Sequence, residues 1–319
     1  MDFGMTIPNS GPLARREPIM TIARQGEALG FNYMAMADHL VIPKSWNSRY
    51  PYSASGTIDA FDGGDCLDPL ALMAALALAT EKIQLLTAVL VVPYRPPILT
   101  AKQLATIDVL SEGRVTVGCG TGWMREEFEA VGAPPFEARG KVTDEYIEAF
   151  RAMWTSDEPV YDGAYAHVDN IYFRPQPVRK PHPPIWIGGD SMPALRRAAR
   201  LGDGWLPVGM APNRPLNTVA RYREAAETLA GLAREAGRDS AEIALTYWVV
   251  WYDETKRITL EDGSRHIFTG EPGEIAEDIN ALGEIGVSAV LFNFVSDTLE
   301  KTLAGTERFA QKVMPLVGT

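Results

Sequence analysis

Residues 3–37 read FGMTIPNSGPLARREPIMTIARQGEALGFNYMAMA. The segment opens with a short apolar run at 3–7, which is typical of a buried strand. A helical pattern follows at 17–29 and ends at Gly30, a residue that tolerates the left-handed conformation in which many helices close. A second apolar run occupies 33–37. A strand, a helix and a strand in this order predict two parallel strands joined by a crossover helix.

The same alternation continues to the end of the chain. Further strands are predicted at 83–92, 115–118, 185–188, 205–206, 243–252 and 289–294. Further helices are predicted at 69–79, 98–110, 141–154, 194–201, 216–236, 275–285 and 298–314. Eight strands, each followed by a helix, favour an α/β fold, a closed (β/α)8 TIM barrel whose active site lies at the C-terminal ends of the strands.

Long connections predict insertions after strands 2, 4 and 7. The first is a loop at 40–64, the second is a proline- and aromatic-rich excursion at 159–184, and the third precedes the helix at 275–285. The alternative fold, an open doubly wound sheet, usually has a dinucleotide-binding loop after its first strand, and PNSGP at 8–12 is not one. Because the sequence contains no repeat, low-complexity tract or linker, residues 1–319 are predicted to form a single domain.

Composition and charge exclude several classes of protein. The 319 residues carry a net charge of −11 and no run of lysine and arginine, so we expect no nucleic-acid partner. The longest apolar stretch, 67–80, is too short to cross a membrane, and the N-terminus lacks the basic region of a signal peptide. The two cysteines form no CxxC motif, and the expected location is the cytoplasm.

Chemistry carried by the protein alone finds little support in the sequence. The four histidines have no partner at metal-ligand spacing, so no metal site is predicted. No GxSxG motif occurs, and Lys82 precedes its strand, at the wrong face for a Schiff-base lysine. What remains is chemistry performed by a bound cofactor.

Three predicted strand ends carry residues suited to such a site. Asp38 and His39 follow the second strand, where a titratable pair would face the barrel mouth, although an ordinary helix-cap pair fits equally well. The segment 118–122, GCGTG, is a place where backbone can approach a ring or an anion, or simply a tight turn. The segment 188–191, GGDS, begins a helix and predicts either a phosphate site or an N-cap turn.

Five segments of the sequence form a recognisable set. They are ARQGEALGFNYMAMADH at 23–39, TAVLVVPYRPP at 87–97, LSEGRVTVGCGTG at 110–122, FRPQPVRKPHPPIWIGG at 173–189 and AARLGDGW at 198–205. Together they resemble the bacterial luciferase-like monooxygenase superfamily, especially its branch of coenzyme F420-dependent oxidoreductases. Their order and spacing cover nearly the whole chain. The resemblance implies a TIM barrel with the cofactor ring in its mouth, often as a homodimer.

The resemblance also implies roles for individual residues. Asp38 and His39 match the acid–histidine pair beside the ring. Both are therefore expected to bind the cofactor and to be catalytic, with His39 as the proton-transferring group. A non-prolyl cis peptide is expected at Thr87-Ala88, in a bulge that supports the ring from behind. The remaining cofactor-binding residues are the turn Gly120, Thr121 and Gly122, which faces the ring, and the phosphate site Gly188, Gly189 and Ser191.

The sequence departs from the F420 branch at two positions. Trp123 follows the GTG turn where some F420 dehydrogenases have an acid, and Pro43 replaces an aromatic residue for which Trp46 could substitute. A set of aromatic residues could line an apolar substrate pocket, although each of them could equally be ordinary packing. They are Trp46, Tyr50, Tyr52, Trp123 and Trp248.

The sequence analysis therefore predicts an F420-dependent oxidoreductase that transfers hydride between the deazaflavin and a small or medium organic substrate. One alternative is an FMN-dependent monooxygenase, which uses O2 and takes reduced flavin from a separate flavin reductase. A second alternative is a non-catalytic protein that binds flavin or F420. A mouth filled by bulky side chains would favour this binding protein, whereas an open pocket beside an ionisable His39 would favour an enzyme.

Overall fold

The computed structural model describes residues 1–58 and 65–318. Residues 59–64, the end of the predicted loop 40–64, lie outside the described residues. The fold is a closed barrel of parallel strands. The barrel strands are β1 Asp2–Thr6, β2 Tyr33–Met36, β3 Gln84–Thr87, β4 Val115–Gly120, β5 Ile185–Gly188, β6 Gly204–Leu206, β7 Ala244–Val249 and β8 Val287–Phe292.

Parallel pairing runs around the whole ring. β1 pairs with both β2 and β8, and β7, β6, β5 and β4 follow in order around the barrel. The ring closes where Leu85 and Leu86 of β3 pair with Val115 and Thr116 of β4. This closure confirms the predicted (β/α)8 barrel and excludes the open sheet.

Helices return the chain from the end of each strand to the start of the next. They are α1 Arg16–Ala28, α2 Pro69–Ala79, α3 Pro97–Leu110, α4 Arg125–Ala130, α5 Arg139–Thr155, α6 Met192–Leu201, α7 Val219–Glu235, α8 Pro272–Ile285 and α9 Leu299–Lys312. The sequence analysis missed α4, a helix of fewer than two turns between β4 and α5, because its charged sequence REEFEA has no long apolar period. Of the described helices, none is both long and apolar enough to cross a membrane.

The insertions lie where they were predicted. After β2 the loop from residue 37 to α2 includes described segments at 37–58 and 65–68. Between α5 and β5 the chain forms a short antiparallel hairpin, Tyr161–Asp162 with His167–Val168. After β7 the loop before α8 is tied by isolated bridges from Asp253 to Thr269 and from Thr259 to Arg265.

The predicted third strand is interrupted. β3 ends at Thr87, and a short strand, Leu90–Val91, resumes beside Cys119 and Gly120 of β4 before a 3-10 turn begins at Val92. Residues 83–92 are therefore two short strands with a break at 88–89, where one strand had been predicted. The break lies at the C-terminal end of the barrel, which is the end where TIM-barrel enzymes have their active sites.

Two of the three apolar clusters in the described residues form the body of the barrel, and a small third one packs Val91, Tyr94 and Phe128 together at its rim. The larger of the two barrel clusters fills the layer between the strands and the helices. The smaller of the two fills the barrel interior and contains Leu86, Trp186, Leu206 and Leu291. Trp186 fits because its neighbour on β6 is Gly204, where a Cβ atom would lie 2.4 Å from the indole ring. The packed interior supports the C-terminal rim on which the candidate site stands.

Candidate active site

The break after β3 places the side chain of Val89 against the glycines of two neighbouring strands. A Cβ atom on Gly120 would lie 2.4 Å from a methyl group of Val89, and one on Gly188 would lie 2.5 Å from another. Val89 remains partly exposed, which makes it an apolar platform at the end of the barrel interior. Glycine is therefore needed at positions 120 and 188 to accommodate Val89, a residue that the sequence analysis did not select.

The non-prolyl cis peptide joins Ala88 to Val89, and the expectation of a cis bond at Thr87-Ala88 was wrong by one residue. The hydrogen bonds explain the position. Thr87 Oγ1 donates to the Gly118 carbonyl over 2.9 Å, and the Ala88 N–H donates to the Met36 carbonyl over 2.6 Å. Because Ala88 still belongs to the ladder with β2, the chain leaves the sheet only after it. Thr87 and Ala88 are thus part of the barrel wall behind Val89.

Trp248 forms a second partly exposed apolar surface in the barrel interior. It packs against the same interior cluster as Val89 and Ala88, and its indole N–H lies 3.4 Å from Thr6 Oγ1. Gly120 and Gly188, at the ends of β4 and β5, have no side chains that would compete with Val89 for its place. A cradle of glycines and partly exposed apolar side chains fits a flat aromatic ring.

His39 is held by a buried acid, and this acid is Glu127 of α4. The imidazole Nδ1 lies 2.7 Å from Glu127 Oε2, and the Glu127 side chain is fully buried. The same oxygen accepts a hydrogen bond from the Tyr94 hydroxyl over 2.8 Å. The other oxygen accepts the backbone N–H groups of Leu40 and Val41 over 2.7 and 3.3 Å. Glu127 therefore joins the end of β2 to the turn after β4.

Sequence analysis missed Glu127, although a signal was present. Met124 and Phe128 are buried apolar residues four positions apart, which places one face of α4 against the protein. Glu127 is three positions after Met124 and therefore lies on the same face, so the helical period places a carboxylate among buried side chains. An acid was expected directly after the GTG turn, where Trp123 lies, whereas the acid that binds His39 is Glu127, four residues further along the chain.

Asp38 has a different partner from the one that adjacency to His39 implies. Its two oxygens accept a bidentate pair of hydrogen bonds from Arg95 over 2.8 and 2.9 Å, and the Val91 N–H donates to it over 2.8 Å. Arg95 also contacts Asp68 at 2.6 Å, and Asp68 caps the N-terminus of α2 by accepting the Ala71 N–H. Buried Arg95 thus ties together β2, α2 and the segment after β3.

The predicted phosphate site surrounds the N-terminus of α6. Ser191 is the N-cap residue, and its hydroxyl accepts the Ala194 N–H over 3.3 Å. Asp190 is buried and its carboxylate turns towards the loop after β6, where it accepts the N–H groups of Val208 and Ala211. The Asp190 carboxylate is therefore engaged by the backbone of that loop. The guanidinium of Arg214, a residue of the same loop, contacts the sulfur of Met192.

A row of aromatic residues connects His39 with the N-terminus of α6. Trp123 meets the His39 ring edge-on at 6.5 Å, Tyr50 meets Trp123 at 5.3 Å, and Tyr52 meets Tyr50 at 5.6 Å between ring centroids. A Cβ atom on Gly189 would lie 3.6 Å from the Tyr52 hydroxyl. The wall therefore extends from His39 to the α6 N-terminus.

Two further residues predicted to line the pocket are Trp46 and Trp248. Trp46 is half-buried on the same loop, whose N–H groups at Asn47 and Ser48 bind Glu126, and Trp248 lies deeper in the barrel. Gly122 forms the turn before Trp123 with a φ of 77°, and Thr121 precedes it. No three His, Cys, Asp or Glu side chains gather as metal ligands in residues 1–58 and 65–318.

Comparison with known proteins identifies the family. The sequence model described as luciferase-like monooxygenase matches residues 1–250. The chain belongs to the luciferase-like monooxygenase family. The family resemblance noted in the sequence is thereby confirmed.

The proteins that this chain resembles include one named for FMNH2 and one named for F420. An uncharacterised protein of Mycobacterium tuberculosis is 35% identical over 219 residues, which are 69% of this chain and 72% of that protein. An FMNH2-dependent dimethylsulfone monooxygenase of Pseudomonas fluorescens is 30% identical, covering 76% of each chain. A solved F420-dependent secondary alcohol dehydrogenase with an F420–acetone adduct aligns over 100% of both chains with a TM-score of 0.74 and 20% identity, a likeness of fold.

The clamp formed by Arg95 predicts a large loss of stability when it is removed. Arg95→Leu leaves Asp38 buried without its cation, and removing one partner of a buried ion pair costs about 3–5 kcal/mol. We expect the midpoint of chemical denaturation to fall accordingly. Arg125→Leu is the matched control, because Arg125 pairs with Glu137 on the exposed surface and should change the midpoint little. Equal, small shifts for both variants would contradict the assigned role of Arg95.

Proposed function

We propose that this luciferase-like protein is an F420-dependent oxidoreductase that transfers hydride between the deazaflavin and a small or medium organic substrate. The observation that carries the proposal is the imidazole of His39, held by the buried carboxylate of Glu127 at the end of the barrel where the Val89 platform lies. Such a pair supplies an acid–base group beside a space suited to a flat ring.

Each part of the proposed cofactor has residues suited to it. Val89 would support the ring, backed by Thr87 and Ala88, with Gly120, Thr121 and Gly122 beside it. The α6 N-terminus at Gly188, Gly189 and Ser191 would hold the anionic group, because free N–H groups and the helix dipole favour negative charge there. Arg214 adds a cation at the same place. The chemistry supplied by the bound deazaflavin is hydride transfer to or from a substrate carbon.

His39 would move the proton that accompanies the hydride. When an alcohol is oxidised, its carbon loses a hydride while its oxygen loses a proton, and reduction of a carbonyl group reverses both transfers. Imidazole is the side chain suited to moving that proton near neutral pH. Asp38, assigned with His39 as a catalytic residue from the sequence, takes a supporting role in this proposal through Arg95.

The aromatic wall would exclude water and bind the apolar part of the substrate. Tyr50, Tyr52 and Trp123 lie between His39 and the α6 N-terminus, with Trp46 on the same loop and Trp248 in the barrel interior. Val89 and Trp248 are both partly exposed, and His39 is paired with an acid. These features support an enzyme, because a protein that only binds the cofactor needs neither a second apolar surface nor an acid–base pair.

The alternative is an FMN-dependent monooxygenase supplied by a flavin reductase. It is favoured by the names of the Pseudomonas relatives, which are FMNH2-dependent dimethylsulfone monooxygenases. The same cradle and anion site would hold FMN, so the distinction lies in measured affinity.

Reconstitution with each cofactor tests the proposal. The wild-type chain and His39→Ala are titrated separately with F420 and with FMN, and binding is followed by absorbance and fluorescence. We expect F420 to bind more tightly than FMN to both proteins. With F420 and a panel of alcohols and carbonyl compounds, we expect His39→Ala to lower turnover roughly 10²–10⁴-fold, the usual contribution of a general acid or base.

His167→Ala is the control, because His167 is exposed on the hairpin and pairs only with Asp162 in the described structure. Tighter binding of FMN would replace the F420 proposal by the monooxygenase. Loss of F420 binding without loss of rate per bound enzyme would make His39 a binding residue.

Arg214 tests the anion site without disturbing the backbone. Gly189 has a φ of 111°, so any side chain there would strain the turn as well as block an anion. Arg214→Gln removes only charge, and we expect cofactor affinity to fall at least tenfold, about 1.4 kcal/mol. Arg223→Gln, on the exposed face of α7, is the control. Equal affinities of the two variants, measured by the same titration, would remove Arg214 from the site.

We also propose that residues 1–319 form one domain and that two copies pair through α2 and α3. The sequence of α2, PLALMAALALA, contains no polar residue, so its outward face is as apolar as its buried face. The neighbouring α3 exposes four further large apolar residues, Ile98, Leu99, Val109 and Leu110. A continuous apolar face of this kind is typical of an interface between subunits.

Sedimentation measurements test the dimer. We expect the wild-type chain to sediment with twice the mass of one chain, and Leu78→Glu to sediment as a monomer, because Leu78 is 73% exposed on α2. Val160→Glu, at a comparably exposed apolar residue near the hairpin, should leave the dimer intact. A monomeric wild-type chain would refute the pairing.

A further inference from the structure

Glu127 is a buried carboxylate whose surroundings contain donors on every side. Oε1 receives two backbone N–H groups, from Leu40 and Val41, and Oε2 receives the Tyr94 hydroxyl and contacts His39 Nδ1. In the part of the chain that the structure describes, no lysine or arginine pairs with it. With these partners, both oxygens of the buried Glu127 carboxylate can act as hydrogen-bond acceptors.

The partners leave one position for the proton between Glu127 and His39. Backbone N–H groups can only donate, so Oε1 carries no proton. Burial raises the pKa of Tyr94, with the carboxylate of Glu127 acting in the same direction, so its phenol stays protonated and donates to Oε2. The 2.7 Å contact between Oε2 and Nδ1 holds one hydrogen, which we place on Nδ1 because an imidazole is a stronger base than a carboxylate.

We propose that Glu127 is a positioning residue that keeps a proton on Nδ1 of His39 in both the neutral and the charged ring, so that Nε2 is the atom that gives and takes the proton. The catalytic part of this inference rests on the proposed function of His39, whereas the position of the proton does not. Which ring nitrogen titrates is set by the hydrogen bond that the other nitrogen makes.

A structural role for Glu127 would be to tie down the loop at Leu40 and Val41, and Glu127→Gln separates the two roles. The two N–H groups at Oε1 still require an acceptor, so the amide oxygen should take that side. The amide NH2 group then faces His39 and Tyr94 and must donate to both. Nδ1 becomes an acceptor, and the neutral ring has to carry its proton on Nε2 instead.

Nitrogen NMR of the imidazole rings measures this directly in the chain without any cofactor. Spectra are recorded on ¹⁵N-histidine-labelled protein across a pH titration, and His39 is assigned by its loss in His39→Gln. We expect the neutral ring of the wild-type chain to be protonated at Nδ1, and the ring in Glu127→Gln to be protonated at Nε2. Tyr94→Phe keeps the carboxylate and should retain the wild-type pattern.

Two results would overturn the inference. One is a wild-type His39 that carries its proton on Nε2, a result that does not depend on the folding of Glu127→Gln. The other is a folded Glu127→Gln protein in which Nδ1 keeps the proton, which would leave Glu127 as a tie for the loop. Glu129→Gln is the matched control, because Glu129 is an exposed acid on the same short helix.

Turnover then separates the two proposals. With the cofactor that supports activity, we expect Glu127→Gln to lower kcat about 10²-fold or more, because its His39 presents the wrong protonation pattern, while Glu129→Gln has no effect. A changed proton position with unchanged turnover would confirm the placement by Glu127 and would overturn the acid–base role of His39 in the proposed function.

Discussion

The buried guanidinium of Arg95 is the contact on which the geometry of the site depends. It binds Asp38 at the end of β2 and Asp68 at the start of α2, and it belongs to the segment that follows the break after β3. A planar group with several donors suits this task, because it can satisfy two carboxylates in fixed directions at once. His39 is the residue after Asp38, so the ion pair between Arg95 and Asp38 also positions the backbone of His39.

Asp38 and Glu127, the two buried carboxylates near His39, have partners of different kinds. Asp38 is compensated by a permanent cation and by the Val91 N–H, which makes it a fixed support. Glu127 is compensated by neutral donors and an imidazole, whose charge changes with protonation. The two partners differ because a guanidinium stays charged in proteins, whereas the charge of an imidazole changes with protonation near neutral pH.

The shape of the mouth follows from one side chain and the glycines around it. Val89 leaves the sheet where β3 breaks and occupies the space that side chains at Gly120 and Gly188 would need. Close packing of this kind allows a partly exposed apolar surface at the end of the barrel without a cavity beneath it. The aromatic residues of the loop after β2 then enclose the space from the side, from Trp123 to Tyr52.

The sequence by itself determined the barrel, its strand order and the ends of the strands that carry the site, because local periodicity and glycine positions report on parallel strands and crossover helices. It also selected His39 and the α6 N-terminus, which lie at strand ends. Only the tertiary structure decided the partners: Glu127 for His39, Arg95 for Asp38 and Val89 for the glycines. These pairs lie 31–99 residues apart in the chain. A hydrogen bond or packing contact over such a separation depends on how strands and loops meet at the rim, which no local pattern encodes.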